Sequence, residues 1–384
     1  MRITRRFRIL PVTIIVLSLL LVSCGQSGEQ TLPPLFGETT AASAPPVTET
    51  ATEAATAAPT ETPTTVPETV PETEPTETEK TAPDDVQGEV GWSSGIMVLN
   101  GRVMEMFYGN EDGITDYADR INRFAAMLPA GVRMVSMVSP TAGEFYTPAQ
   151  YHEAVQSQRA AIDSIYEKLT PGIVTVNAYH TLLQHTDEYI YFRTDHHWTG
   201  LGAYYGYEAL MQALGTEPVP LSEYDEYQLE GTYLGTLYRF VQGNATVTNN
   251  PDTVYMYKPK VYNATAHVYN DFTLTGGYAM HLLASQFTGN EKYLSFSGGD
   301  APVLQITSEI GTGKKVVVIK DSYANALVPH LANHYDEAYI IDPRAVEGNL
   351  IDFISTVGAD DVIVMNYAFA YANPTWNSRF ELLF

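Results

Sequence analysis

Two short segments carry residue types that could do covalent chemistry. One is Thr194-Asp195-His196-His197-Trp198-Thr199; the other is Lys320-Asp321-Ser322. A serine hydroxyl is a weak nucleophile until a general base takes its proton. His197 suits that task. Asp195, two residues earlier, could fix the imidazole tautomer and stabilise the imidazolium. Ser322 follows the apolar run Val316 to Ile319, where a strand turns into a predicted helix. Such a turn presents the hydroxyl near free backbone N–H groups that can hold an oxyanion. Each residue also has an ordinary use: Ser322 as a helix N-cap, Asp195 and His197 as a hydrogen-bonded pair closing a loop.

The elements that carry these segments must share an edge if the two are to meet. Ile96 to Phe107 reads as a hairpin about Asn100-Gly101, the pair preferred in a two-residue turn. The apolar periodicity then predicts a helix over 116–128 with Thr115 as its cap, a strand over 132–138 and a helix over 150–169. Strands over 173–176 and 189–192 follow, then a helix over 201–214 between Thr199 and Gly215. Residues 216–310, rich in Tyr, Thr, Asn and Gly, break this rhythm and read as an irregular, β-rich insertion. The alternation resumes with strands over 315–319, 338–341 and 362–365 and helices over 323–333 and 349–357. One α/β domain over 89–384 with a mostly parallel sheet is the expectation. No internal repeat is evident.

Reactive groups in open parallel sheets gather outside the carboxyl ends of the strands. Four predicted strands end in polar residues there: Phe192 before Arg193, Ile319 before Lys320, Val138 before Ser139-Pro140-Thr141, and Met365 before Asn366-Tyr367. Asn366 is the candidate side-chain donor to an oxyanion; bonding its own loop is the other use of such a residue. His330 and His334 have helical i,i+4 spacing, but no Glu completes a zinc-protease motif, and a solvated helix face is expected. Lys320 and Asp321 read as a surface pair. No metal and no cofactor are called for.

The segment from Thr194 to Thr199, followed by a Gly-containing helix start, resembles the bacterial DHHW family, which belongs with the SGNH-hydrolase-like proteins of alginate O-acetylation. The resemblance implies a three-layer SGNH-like sandwich, with Asp195 orienting His197, His197 as base and Ser322 as nucleophile. It implies transfer of an acyl group, acetyl above all, to a cell-surface polysaccharide. Where relatives commonly place Gly before the Ser, this chain has Asp321. An esterase would share every step up to the choice of sugar hydroxyl or water. A glycan-binding lipoprotein without catalysis is the alternative of another class, and the 26 tyrosines suit either sugar stacking or irregular β structure.

Composition divides the 384 residues into unlike parts. Residues 1–23 hold four Arg and no acid, with an apolar run from Ile9 to Val22, the pattern of an export signal. Leu21-Val22-Ser23-Cys24-Gly25 resembles the lipobox of bacterial lipoproteins, which implies lipid on Cys24, the only cysteine. The chain would then sit outside the cytoplasmic membrane, anchored to its outer face. A transferase there needs acyl groups from across the membrane, which implies a multispanning partner. Residues 25–88 hold sixteen Thr, ten Pro and twelve acids against one Lys; so few apolar side chains predict a disordered tether. The formal charge of −24 excludes nucleic acid as an expected partner.

Overall fold

The Val- and Ile-rich runs that end in polar residues become the middle of an eight-stranded sheet. The computed structural model describes residues 91–93, 95–261 and 263–384; the expected signal, Cys24 and the expected tether lie outside them. The N-terminal strands β1 (Gly91–Ser93), β2 (Ile96–Leu99) and β3 (Arg102–Glu105) form a small antiparallel sheet. Asn100 and Gly101 join β2 to β3 with φ of 51° and 78°. A two-residue turn with positive φ at both positions matches the twist of the strands it joins.

The large sheet is built from β4 (Arg133–Ser139), β5 (Val174–Val176), β8 (Ala264–Tyr269), β9 (Tyr278–Met280), β10 (Val303–Ser308), β11 (Lys315–Lys320), β12 (Glu337–Ile341) and β13 (Asp361–Tyr367). Its order is β5-β4-β13-β11-β12-β10-β8-β9. The first five strands pair in parallel; β10, β8 and β9 continue the sheet antiparallel. A separate ribbon pairs β6 (Tyr224–Gln228) with β7 (Tyr255–Pro259). The stretch 216–310 is therefore not set apart from the sheet, as an insertion would be. Three of its strands extend it.

Strand side chains alternate between two faces, and the two cores divide accordingly. Val316, Val318, Ile363 and Met365 enter one core; Val317, Ile319, Val362 and Val364 enter the other. The second face is covered by α1 (Glu111–Met127), α3 (Gln158–Glu167), α7 (Leu350–Val357) and α8 (Pro374–Glu381), through residues such as Phe124, Ile162, Phe353 and Trp376. The first is covered by α4 (Ala178–Leu183) and α5 (Gly200–Ala213), through Leu182, Tyr207 and Leu210. Two short helices, α2 (Ala142–Tyr146) and α6 (Ala245–Thr248), complete the set. None of these helices is long and apolar enough to cross a membrane.

Several elements differ from expectation for identifiable reasons. Helix α1 starts at Glu111 because the Asn110 carboxamide oxygen accepts from the Gly113 N–H; Thr115 is inside it, and Gly113 hides the early start. The helix expected from 150 begins at Gln158, where Ser157 caps it. Residues 189–192 form no strand, only an isolated bridge between Tyr191 and Trp198. The helix expected over 323–333 is two 3₁₀ turns, Ser322–Ala326 and Val328–Asn333. Pro329 interrupts it, because a proline lacks the N–H that an α-helix needs and clashes with the preceding turn.

Candidate active site

In the sheet, β13 lies between β4 and β11, so their carboxyl ends form one contiguous edge. Ser322 opens the first 3₁₀ turn after β11 and is half-buried. The residue before it determines the shape of the turn. Asp321 is buried, and its Oδ1 accepts from the Tyr323 N–H at 2.9 Å. Its Oδ2 accepts from Asn366 Nδ2 at 3.0 Å and from the Tyr367 N–H at 3.1 Å. Asp321 thus caps the turn and ties it to β13. Burial pushes its carboxyl up, against the opposing effect of these donors. Lys320 is no surface residue. It is buried, and its Nζ donates to Asp300 Oδ1 at 2.6 Å; Asn325, later in the turn, donates to the same oxygen at 3.1 Å.

The segment with Asp195 and His197 is a closed loop, with the Thr199 N–H donating to Ile190 O at 2.9 Å. Asp252, fully buried, clamps it. One of its oxygens accepts from the Arg193 N–H at 2.7 Å and the Tyr189 hydroxyl at 2.5 Å; the other accepts from the Thr194 N–H and hydroxyl at 2.7 and 2.6 Å. Trp198 is buried and its indole N–H donates to Tyr323 O at 2.9 Å, joining the loop to the Ser322 turn. Helix α5 starts under it, with Thr199 Oγ1 accepting from the Gly202 N–H. A Cβ on Gly206 would lie 2.6 Å from the Trp198 ring, which explains a glycine there.

These two supports bring Asp195, His197 and Ser322 into one hydrogen-bonded chain. His197 Nδ1 lies 2.6 Å from Asp195 Oδ1, and His197 Nε2 lies 3.0 Å from Ser322 Oγ. A carboxylate only accepts, so Nδ1 carries the proton and Nε2 is left to accept from the serine hydroxyl. Asp195 Oδ2 accepts from the Tyr233 hydroxyl at 2.8 Å and the Thr236 N–H at 2.7 Å. Burial alone would raise this carboxyl. The His197 and His196 rings and the Thr236 amide outweigh it and hold Asp195 well below the usual carboxylate range. The Tyr293 ring stacks on His197 at 3.8 Å, and its hydroxyl donates to Ser322 O at 3.0 Å.

The remaining candidates named from the sequence occupy different places. The Asn366 amide donates to Asp321 and its oxygen accepts from the Tyr117 hydroxyl at 2.8 Å. The buried Asn366 side chain therefore holds the turn, and no contact links it to Ser322 Oγ. The donor that the turn itself offers is the Ser322 N–H, which heads the 3₁₀ turn. The His196 and His197 rings lie 3.8 Å apart, and His196 Nδ1 is 2.7 Å from Thr236 Oγ1. Asp195, His196 and His197 present donor atoms within 4.8 Å of one another, but two of those atoms are already joined by the Asp195–His197 hydrogen bond. His330 and His334 do not lie on a solvated face. Burial pushes His330 down to about 3, and His334 Nε2 meets the Tyr207 hydroxyl at 2.6 Å.

Sequence reasoning missed Tyr233, Thr236, Asp252, Tyr293 and Asp300. All five come from 216–310, the stretch that reads as an insertion. Their polar or aromatic character is ordinary for such a stretch, and only long-range pairing gives them a role.

A serine, a histidine and an aspartate thus lie in one hydrogen-bonded row at the carboxyl edge of a mixed α/β sheet. Comparison with known proteins supplies the family. The DHHW protein family matches residues 68–341, and the chain belongs to that family. A DHHW family protein from Eubacterium siraeum is 33% identical with a TM-score of 0.70, covering 77% of this chain and 98% of that one. PatB1 of Bacillus cereus, solved with a sulfonyl adduct, is 18% identical with a TM-score of 0.61, covering 75% and 98%. The O-acetyltransferase domain of Pseudomonas putida AlgJ is more distant, at 13% identity and a TM-score of 0.40, covering 76% and 98%. No curated protein matches the sequence.

Proposed function

We propose that this chain is a serine-dependent O-acyltransferase, with acetyl as the acyl group and a cell-surface polysaccharide as acceptor, on an SGNH-like fold. The observation that carries the reading is the continuous path from Asp195 through His197 to Ser322, at 2.6 and 3.0 Å. His197 Nε2 takes the Ser322 proton as Oγ attacks the acyl carbonyl. The carbonyl becomes an oxyanion near the Ser322 N–H. Collapse expels the donor's leaving group, which takes the proton from His197 and leaves an ester on Ser322. A sugar hydroxyl then attacks this ester while giving its proton to His197. The new sugar ester departs, and Ser322 Oγ recovers the proton. Water in place of the sugar gives acetate.

The N-terminal segments fit a place for this chemistry. Lipid on Cys24 and a tether over 25–88 would hold the domain at the outer face of the cell membrane, within reach of wall glycans. A multispanning partner would supply acyl groups from within.

The test is a covalent one. The chain is incubated with an activated acetyl ester, and separately with a sulfonyl fluoride, and its intact mass is recorded beside that of Ser322→Ala. An adduct present in the wild type and absent from the variant is the expected result. Neither adduct nor ester turnover in the wild type would refute serine chemistry. If acetyl reaches an added glycan no faster than it appears as free acetate, the esterase replaces the transferase.

A further inference from the structure

A groove of about 570 Å³, open to solvent, lies where the β6–β7 ribbon meets the Asp195–His197 loop. That volume is in the usual range for a site that takes a small ligand. None of Asp195, His197 and Ser322 lines it. Glu188, Tyr189 and Arg193 come from the loop side, and Tyr255, Tyr257 and Glu226 from the ribbon. Strand alternation puts Tyr255 and Tyr257 on one face, and the pairing of the ribbon sets Glu226 opposite Tyr257. Gly200, at the start of α5, lets β7 approach, since a Cβ there would lie 2.4 Å from Tyr255 O.

The lining has a definite hydrogen-bonding sense. The Tyr189 and Tyr257 hydroxyls already donate, to Asp252 at 2.5 Å and to Glu226 Oε2 at 2.8 Å. Arg193 is engaged as well. Its guanidinium lies 5.2 Å from the Tyr189 ring centre, donates to Pro251 O at 2.6 Å and faces Asp252 at 3.5 Å. Acceptors are what remain open. Glu226 is exposed, with Tyr257 on one of its oxygens; Glu188 is exposed too and meets Tyr205 and His185. An ionised carboxylate accepts at about four positions. Tyr255 is half-buried, and among the described residues its side chain has no hydrogen bond and no ring partner. An unpartnered ring beside open acceptors fits a ligand that offers an apolar ring face and many donors at once. A sugar offers both. A proline-rich peptide has ring faces but lacks donors, and a polyanion would bring like charge to the two carboxylates.

We propose that this groove binds a stretch of neutral glycan, with a sugar ring on Tyr255 and hydroxyl groups donating to Glu226 and Glu188. It is a site apart from Ser322. Its ligand follows from its own lining, so it stands whether or not the serine is a nucleophile. Because the Tyr189 hydroxyl and the Arg193 N–H both donate to Asp252, a glycan in the groove rests on the same clamp that holds the loop.

The full chain carrying Ser322→Ala, which cannot turn over a ligand, is titrated with tetrasaccharides of hexose, of N-acetylhexosamine and of uronic acid, and with a proline-rich peptide. Binding is followed by ligand-observed NMR. At least one neutral tetramer binds, and the uronate tetramer binds at least about tenfold more weakly. Adding Tyr255→Ala weakens the neutral tetramer about tenfold, the effect of one lost stacking platform. Adding Glu226→Lys, an exchange at an exposed position that leaves the fold intact, weakens the neutral tetramer and strengthens the uronate one several-fold. If Tyr255→Ala fails to fold, Glu226→Lys decides alone. Failure of every neutral tetramer to bind, uronate bound as tightly as neutral sugar, or binding indifferent to these changes overturns the proposal. So does a proline-rich peptide that binds through Tyr255 in place of the glycan. A wild type inert to acetyl ester and sulfonyl fluoride refutes the acyltransferase reading alone and leaves this titration to decide the groove.

Discussion

The Ser322 turn and the Asp195–His197 loop reach the same point by opposite means. The turn ends a central parallel strand, and its neighbours β12 and β13 fix its height and direction. The loop has no strand or helix of its own and is held by a buried carboxylate, Asp252, and an indole N–H. Their own carboxylates differ in the same sense. Asp195 is surrounded by donors and imidazoles and is held low, whereas Asp321 is pushed up by burial. A sheet can position a backbone through its own ladder of main-chain hydrogen bonds. A loop cannot, and this one depends on a hydrogen-bond network whose members come from distant parts of the chain.

The largest effect expected is at the turn. Ser322→Ala should lower turnover by about 10³-fold or more while leaving thermal stability within about 0.5 kcal/mol. A variant that retained turnover would mean that the turn carries no nucleophile. Next comes Asp195→Asn, for which a loss of about 10²- to 10⁴-fold is expected, because an amide no longer fixes the Nδ1–H tautomer. Stopped-flow assay of ester turnover at several pH values measures it.

Asp252→Ala tests whether the loop depends on its clamp. Four donors lose their acceptor, and a stability loss of about 2–4 kcal/mol should accompany a drop in turnover of roughly tenfold or more. Asp300→Asn, which weakens the grip on Lys320 and Asn325, should lower kcat by only about three- to tenfold, since the sheet still supports the turn. If Asp300→Asn proved the more damaging of the two, the contrast between loop and turn would fail.

The smallest effects are in the pH dependence of stability. A carboxyl held low in the folded state binds fewer protons than in the unfolded chain, so Asp195 contributes stability that is present above the unfolded value near 3.9 and lost as pH falls through the folded one. Asp195→Asn should flatten the acid side of the stability curve. Asp321 has the reverse sign. Its stability is present at acid pH and declines as pH rises from about 3.9 through the raised folded value. Asp321→Asn should therefore relieve a loss on the neutral side, as read by urea unfolding between pH 3 and 7. Identical slopes in the two variants would remove the electrostatic half of the comparison.

Much of the fold and the site is legible in the sequence, and what is not has a physical reason. Continuous apolar runs such as Val316 to Ile319 read as buried strands because nothing else buries both faces. Thr199 and Asn100-Gly101 are legible because caps and tight turns are local. The Asp195-x-His197 spacing and the serine after a buried strand are local patterns, and the structure brings all three residues together. Asp252 is invisible, being 58 residues from Thr194 with no pattern to connect them. Lys320 reads as a surface residue because its partners, Asp300 and the buried Asp342, are 20 or more residues away. Asn366 lies on the expected edge, but its partner Asp321 reads in the sequence as an exposed neighbour of Lys320.

Strand β13 is among the last segments of the chain, yet it lies between β4 and β11. The parallel pairs β5–β4 and β11–β12 cannot be joined, and the bonds from Asn366 and Tyr367 to Asp321 cannot form, until residues 361–367 are available. A chain made from its N-terminus must reach residues 361–367 before this sheet can close, and such long-range closure is slow. For a chain exported as proposed above, this order of assembly would delay both compaction and reactivity until residues 361–367 have crossed the membrane.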